Sequence, residues 1–123
     1  MKGIAMSAGP VTLYGLKNCD TCKKALKALD AADRETAFVD IRSEADLDRL
    51  VPAWLKAVGP ETLVNRRSTT WRSLSEAEKS GALGDGAADL LKANPTLIKR
   101  PVIDTGAEIL VGWDSGTQQA LAR

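Results

Sequence analysis

The apolar positions of this chain switch between two spacings. VTLYG at 11–15 is β-branched and aromatic and closes on a glycine, which reads as a buried strand. Beyond it, Cys22, Ala25, Leu26 and Leu29 fall three and four apart and line one face of a helix. That helix starts at Asn18 or Cys19, and Asn18 has the side chain to cap it. TAFVDI (36–41) reads as a second strand, so the helix bridges two strands in a βαβ unit that favours parallel pairing. A second helical stripe follows at Leu47, Leu50, Val51, Trp54, Leu55 and Val58. Proline is tolerated in the first turn of a helix but not deep inside, so Pro52 puts the start near Asp48, and Gly59-Pro60 marks the end.

ETLVNRRSTTWRSL (61–74) has weaker periodicity and predicts short helical turns. SGALGDG (80–86) predicts a break, and AADLLKANP (87–95) a short helix stopped at Asn94-Pro95. Val102–Asp104 reads as a strand directly after Pro101, TGAE as a hairpin turn, and ILVG as its partner strand. DSGTQQALA predicts a final helix capped by Asp114 or Ser115. The order is β-α-β, a helical stretch, then β-β-α. This predicts an α/β fold, a thioredoxin-like (glutaredoxin-like) mixed sheet with an all-helical insertion at about 43–97. Residues 1–10 read as a flexible N-terminal extension, with Met6 an alternative start, and 11–123 as a single domain.

Charge removes whole classes of function. The 17 basic and 16 acidic residues nearly cancel, so no nucleic-acid patch is announced and direct nucleic-acid binding is not expected. No apolar run approaches the roughly 20 residues of a membrane span. The segment MKGIAMSAGP is too short in its apolar part for a secretory signal, so the expected location is the cytosol and no membrane partner is expected. The chain has no histidine, so no Cys-His or Ser-His pair and no histidine metal ligand exists. Two cysteines alone do not complete a zinc site, and no metal or bound cofactor is expected.

Those two cysteines are therefore the candidate chemistry. In YGLKNCDTCKKAL, Cys19 falls at a helix N-terminus, where unpaired N–H groups and the positive dipole end favour a thiolate. Lys17, Lys23 and Lys24 add positive potential and Asp20 opposes it. Cys22 lies one turn on, within disulfide reach on the same face. Cys19 is expected to attack, with Cys22 as the more buried resolving thiol. The plain alternative is a pair of small core-compatible residues.

VTLYGLKNCDTCKKAL, LVNRRSTTWRSL, IKRPVID and GW, in this order, resemble the arsenate reductase (ArsC)/Spx family, and most of all its YffB-like branch. The resemblance runs from about Val11 to Leu121. It implies a thioredoxin-like fold and a nucleophilic cysteine at Cys19. It further implies an arginine beside the sulfur at Arg100, and a cis proline at Pro101 that shapes a substrate groove. Arsenate reductases of the family grip the oxyanion with three arginines. Here the first position is Asn65, with Arg66 and Arg67 adjacent, and the third is Gly112. Tetrahedral arsenate needs charged, forked donors, so this loss places general thiol chemistry ahead of arsenate reduction.

The resemblance thus implies a glutathione-dependent thiol-disulfide oxidoreductase, with glutathione as co-substrate or a protein disulfide as substrate. Cys19, Cys22 and Arg100 would carry the reaction. Asn18, Asn65, Arg66, Arg67 and Pro101 would contact substrate. Trp71 and Trp113 are weighed as groove walls or core, Trp54 as core, and Lys17 and Lys99 as solvated. Arsenate reduction dependent on glutathione and glutaredoxin is the second reading. A Spx-like redox regulator that binds RNA polymerase is the third. The family implies a monomer.

Overall fold

The computed structural model describes residues 10–122; the first nine residues of the expected extension lie outside the described residues. Two compact units make up the chain. One comprises the described residues up to Asp40 together with those from Arg100, and the other is Ile41–Lys99.

The first unit carries the sheet. Strand β1 (Val11–Gly15) runs into helix α1 (Asp20–Ala31) and then into β2 (Thr36–Asp40). After the other unit come β3 (Val102–Asp104), β4 (Ile109–Val111) and a C-terminal helix at Ser115–Ala122. The strand order is β2-β1-β3-β4. β1 pairs parallel with β2, Val11 opposite Thr36, and antiparallel with β3, Leu13 opposite Ile103. β3 and β4 form the expected hairpin, and the mixed, thioredoxin-like sheet is the one the element order predicted.

The βαβ connection forces the parallel pair, because a helix must carry the chain back to the start of the sheet. Val11, Leu13 and Ile103 from the sheet, Cys22, Ala25 and Leu29 from α1, and Leu121 from the C-terminal helix make one buried cluster. Asp114, not Ser115, caps the last helix: its Oδ1 accepts the Thr117 N–H at 2.9 Å.

The Ile41–Lys99 unit is helical apart from a single bridge between Val64 and Ile98. Numbered onward from α1, its helices are α2 (Leu47–Val58), α3 (Pro60–Leu63), α4 (Thr69–Ser73), α5 (Glu76–Ala82) and α6 (Ala87–Ala93), and a 3-10 turn follows at Pro95–Leu97. Trp54 is 1% exposed and belongs to the core with Leu50 and Val51.

Three expectations need correction. α2 begins at Leu47, a residue before the expected start, with Asp46 at its N-cap, and Pro52 lies inside the helix rather than in its first turn. The buried apolar face of Leu50, Val51 and Trp54 holds the helix together although the ring crowds the Asp48 carbonyl and the bond to that carbonyl is forgone. The break expected at 80–86 is shorter, since α5 runs through Ala82. Finally, α5 was not anticipated, although Ser75 and Glu78 form a full capping box, a pattern legible as S-x-x-E.

Replacing Pro52 by Ala restores a backbone donor in an exposed helix interior. The Pro52→Ala variant is expected to gain about 1–2 kcal/mol in chemical denaturation. A loss of stability would show that the proline is fitted to a kink the helix requires.

Candidate active site

The candidate site grows out of the end of β1. Leu16 leaves the strand and its carbonyl accepts the Cys19 N–H at 3.2 Å, closing a tight turn. Cys19 is the N-cap of α1, in extended conformation (φ −94°, ψ 117°), and its carbonyl accepts the first helical bond from Lys23 at 3.0 Å. Asn18, the other candidate for this position, is exposed in the turn and does not cap the helix. The tight turn uses up Lys17 and Asn18, which pushes the cap one residue on, to the cysteine.

Cys19 is half-buried and Cys22 fully buried, both as free thiols. Burial is the largest single influence on the Cys19 thiol and disfavours its charge. It is outweighed by the Cys22 backbone N–H, the Cys22 thiol, and the hydrogen bond and charge of the Arg100 guanidinium, so its pKa falls below the ordinary value. The sulfur makes no capping hydrogen bond of standard geometry, yet the Cys22 N–H still lies close enough to favour the anion.

Cys22 behaves oppositely. Burial pushes its thiol up to about 12; the Leu16 N–H opposes this and the Cys19 sulfur reinforces it. Cys22 is thus also a core residue, packed with Val11, Leu13 and Ala25, and the plain reading of the pair holds for its packing.

Arg100 reaches the Cys19 sulfur from the segment that opens β3. The Arg100–Pro101 peptide is cis, and the buried Pro101 accepts the Gly112 N–H at 2.8 Å on its carbonyl. Gly112 has φ +86°, a conformation that glycine adopts freely and a side chain resists. Gly112, which the resemblance sets at the third arginine position, is therefore a backbone turn. Cys19, Cys22, Arg100 and Pro101 all lie in the first unit. Lys17, Asp20, Lys23 and Lys24 are exposed around the helix start.

Asn65, Arg66 and Arg67 lie in the other unit. There the Asn65 N–H donates to Leu97 O and the Lys99 N–H to Leu63 O, each at 2.8 Å, so the two segments run side by side. Asn65 Oδ1 accepts the Arg67 N–H at 3.1 Å. A recess of about 450 Å³ results, lined by Asn65, Arg66, Arg67 and Lys99 with Glu61, Thr62 and Val64. Its cations outnumber its one carboxylate, a setting suited to an anion.

Trp113 packs on the sheet core and borders a cavity with Ala28, Ala32 and Leu121, at the opposite end of α1 from Cys19, and so does not wall the cysteine. Trp71 is half-buried, its ring 6.0 Å from the Lys79 Nζ. Lys99 is exposed, as expected, but its place in the recess was not anticipated, nor was the approach of Gly15 to Cys22. Lys99 joins the recess through its pairing with the Asn65 segment, which no local pattern reveals. Gly15 lies against Cys22, and the signal was present: a glycine closing a core strand just before CxxC.

The model of the ArsC family matches residues 14–121, most of the chain. The chain belongs to the ArsC family. An uncharacterised protein of Haemophilus influenzae is 44% identical over 111 residues, covering 89% of this chain and 96% of its own. The solved structure of a YFFB protein superposes with a TM-score of 0.80 at 37% identity, covering 90% of this chain and 98% of that one. An arsenate reductase (ArsC) related protein from Brucella melitensis superposes at 0.73, also 37% identical, covering 90% of this chain and 92% of its own. The family and its YffB-like branch are those the CxxC, TTWR and KRP segments had suggested.

Titration of the reduced chain with a chromogenic disulfide near neutral pH is expected to show one fast thiol, Cys19. The second, Cys22, should appear only on unfolding. Two thiols reacting fast in the native chain would contradict the burial described for Cys22.

Proposed function

We propose that this ArsC-family chain is a cytosolic, glutathione-dependent thiol-disulfide oxidoreductase acting as a monomer. The observation that carries the reading is the Cys19 sulfur at the N-cap of α1 with the Arg100 guanidinium beside it. A sulfur held as thiolate attacks disulfides without a general base, which suits a chain that has no histidine.

The Cys19 thiolate attacks the glutathione sulfur of a mixed disulfide. A bond forms between Cys19 and that sulfur, and the other thiolate leaves and takes a proton. A second glutathione, as thiolate, attacks the same sulfur, forming glutathione disulfide and returning Cys19 as thiolate. Over the two steps the incoming glutathione sulfur is oxidised and the displaced substrate sulfur is reduced to a thiol, so one mixed disulfide and one glutathione become one thiol and one glutathione disulfide. Cys22, its thiol pushed to about 12 and its sulfur buried, holds its proton at neutral pH and leaves the second step to the incoming thiol. Within the other unit, the recess of Asn65, Arg66, Arg67 and Lys99 is by itself suited to an anionic group. Asn18, exposed ahead of Cys19, and Pro101 border the path of the substrate.

Arsenate is the second reading, favoured by the ArsC-related neighbour from Brucella melitensis. Asn65 and the turn glycine Gly112 weigh against it, leaving Arg100 as the one retained arginine of three.

A coupled assay following NADPH with glutathione, glutathione reductase and a small glutathione mixed disulfide tests both. Wild type should turn over. Cys19→Ser should lose at least about a hundredfold, in line with loss of the nucleophile. Cys22→Ser, which keeps a donor, should retain most turnover. Full activity in Cys19→Ser, or arsenate turnover equal to disulfide turnover, would overturn the proposal.

A further inference from the structure

Gly15 ends β1, and the chemistry above makes no use of it. Alternation along the strand puts Val11, Leu13 and Gly15 on one face, and Val11 and Leu13 pack against α1. A Cβ built on Gly15 would stand 2.5 Å from the Cys22 sulfur, 3.3 Å from its Cβ and 3.4 Å from Leu13 Cδ2. Carbon and sulfur do not approach so closely; ordinary contacts begin at about 3.5 Å. The Cys22 side chain is no loose surface group that can swing aside, since it is 0% exposed and enclosed by the core. The empty space at Gly15 therefore determines where this sulfur lies.

We propose that Gly15 is a positioning residue for the Cys19 thiolate, acting through Cys22: without a side chain at the end of β1, the Cys22 thiol can lie against the strand and present its S–H to the Cys19 sulfur one turn away. The proposal rests on the reading of Cys19 as the attacking thiol. The groups that face the Cys19 sulfur are Cys22 on the same helix and Arg100 from the segment before β3, with exposed Lys17 and Asp20 flanking it along the chain. Of these, the Cys22 thiol is the one whose place a residue at 15 sets. A methyl group there would push the sulfur off its site and remove a donor from the thiolate.

The test is the pH dependence of Cys19 alkylation by iodoacetamide, followed by peptide mass spectrometry on the reduced full chain. Four proteins are compared: wild type, Gly15→Ala, Cys22→Ala and the double variant. Gly15→Ala and Cys22→Ala should each raise the midpoint by about half to one pH unit, about three- to tenfold less thiolate below it. The double variant should match Cys22→Ala alone, because Gly15 acts only through that sulfur. A wild-type midpoint in Gly15→Ala overturns the proposal, as does a further shift when alanine at 15 is added to Cys22→Ala.

Denaturation gives a second arm should Gly15→Ala fold poorly. With the sulfur removed the double variant should be the more stable of the two, and equal instability overturns the proposal. Alkylation requires no turnover. Failure of the enzymatic reading, seen as activity in Cys19→Ser, is therefore distinguishable from failure of this one.

Discussion

A thiolate at Cys19 has to be held against the cost of partial burial, and the local structure around α1 is arranged about that balance. A half-buried sulfur left to itself would keep its proton. Three contributions oppose this: helix-end N–H groups, the neighbouring thiol and one guanidinium. Each depends on a different part of the first unit. The helix end requires the tight Leu16–Cys19 turn. The thiol requires a core that encloses Cys22. The guanidinium requires the segment that opens β3.

The same core explains why two cysteines three residues apart differ so much. Cys22 packs among Leu13, Ala25 and Leu29 and is protonated by virtue of that burial, whereas Cys19 stands at the helix start with partial access to solvent. One sulfur is suited to attack, the other to donate a hydrogen bond. Gly112 serves the same region at a distance: its left-handed backbone, which a side chain resists, returns an N–H to Pro101.

Much of this was legible in the sequence because the relevant signals are local. Alternating β-branched residues, the i, i+3, i+4 stripe of α1 and the Pro-preceded hairpin named the sheet strands and their order. What failed was governed by exposure or by non-local pairing. Pro52 was judged by its ring and missing N–H, but the buried apolar face of α2 holds the helix against both. Asn18 is the better capping residue by chemistry, yet the length of the turn decides which residue reaches the cap. Lys99 enters its recess only through pairing with the Asn65 segment, a contact more than thirty positions apart in the chain.

The measurement closest to the central claim is ultraviolet titration of thiolate absorbance in the reduced chain. The account predicts one step below about 8.5, the value of free cysteine, that disappears in Cys19→Ser. The Cys22 thiol should stay protonated until far more alkaline pH. A first step at or above the free value, or one that survives in Cys19→Ser, would contradict the account.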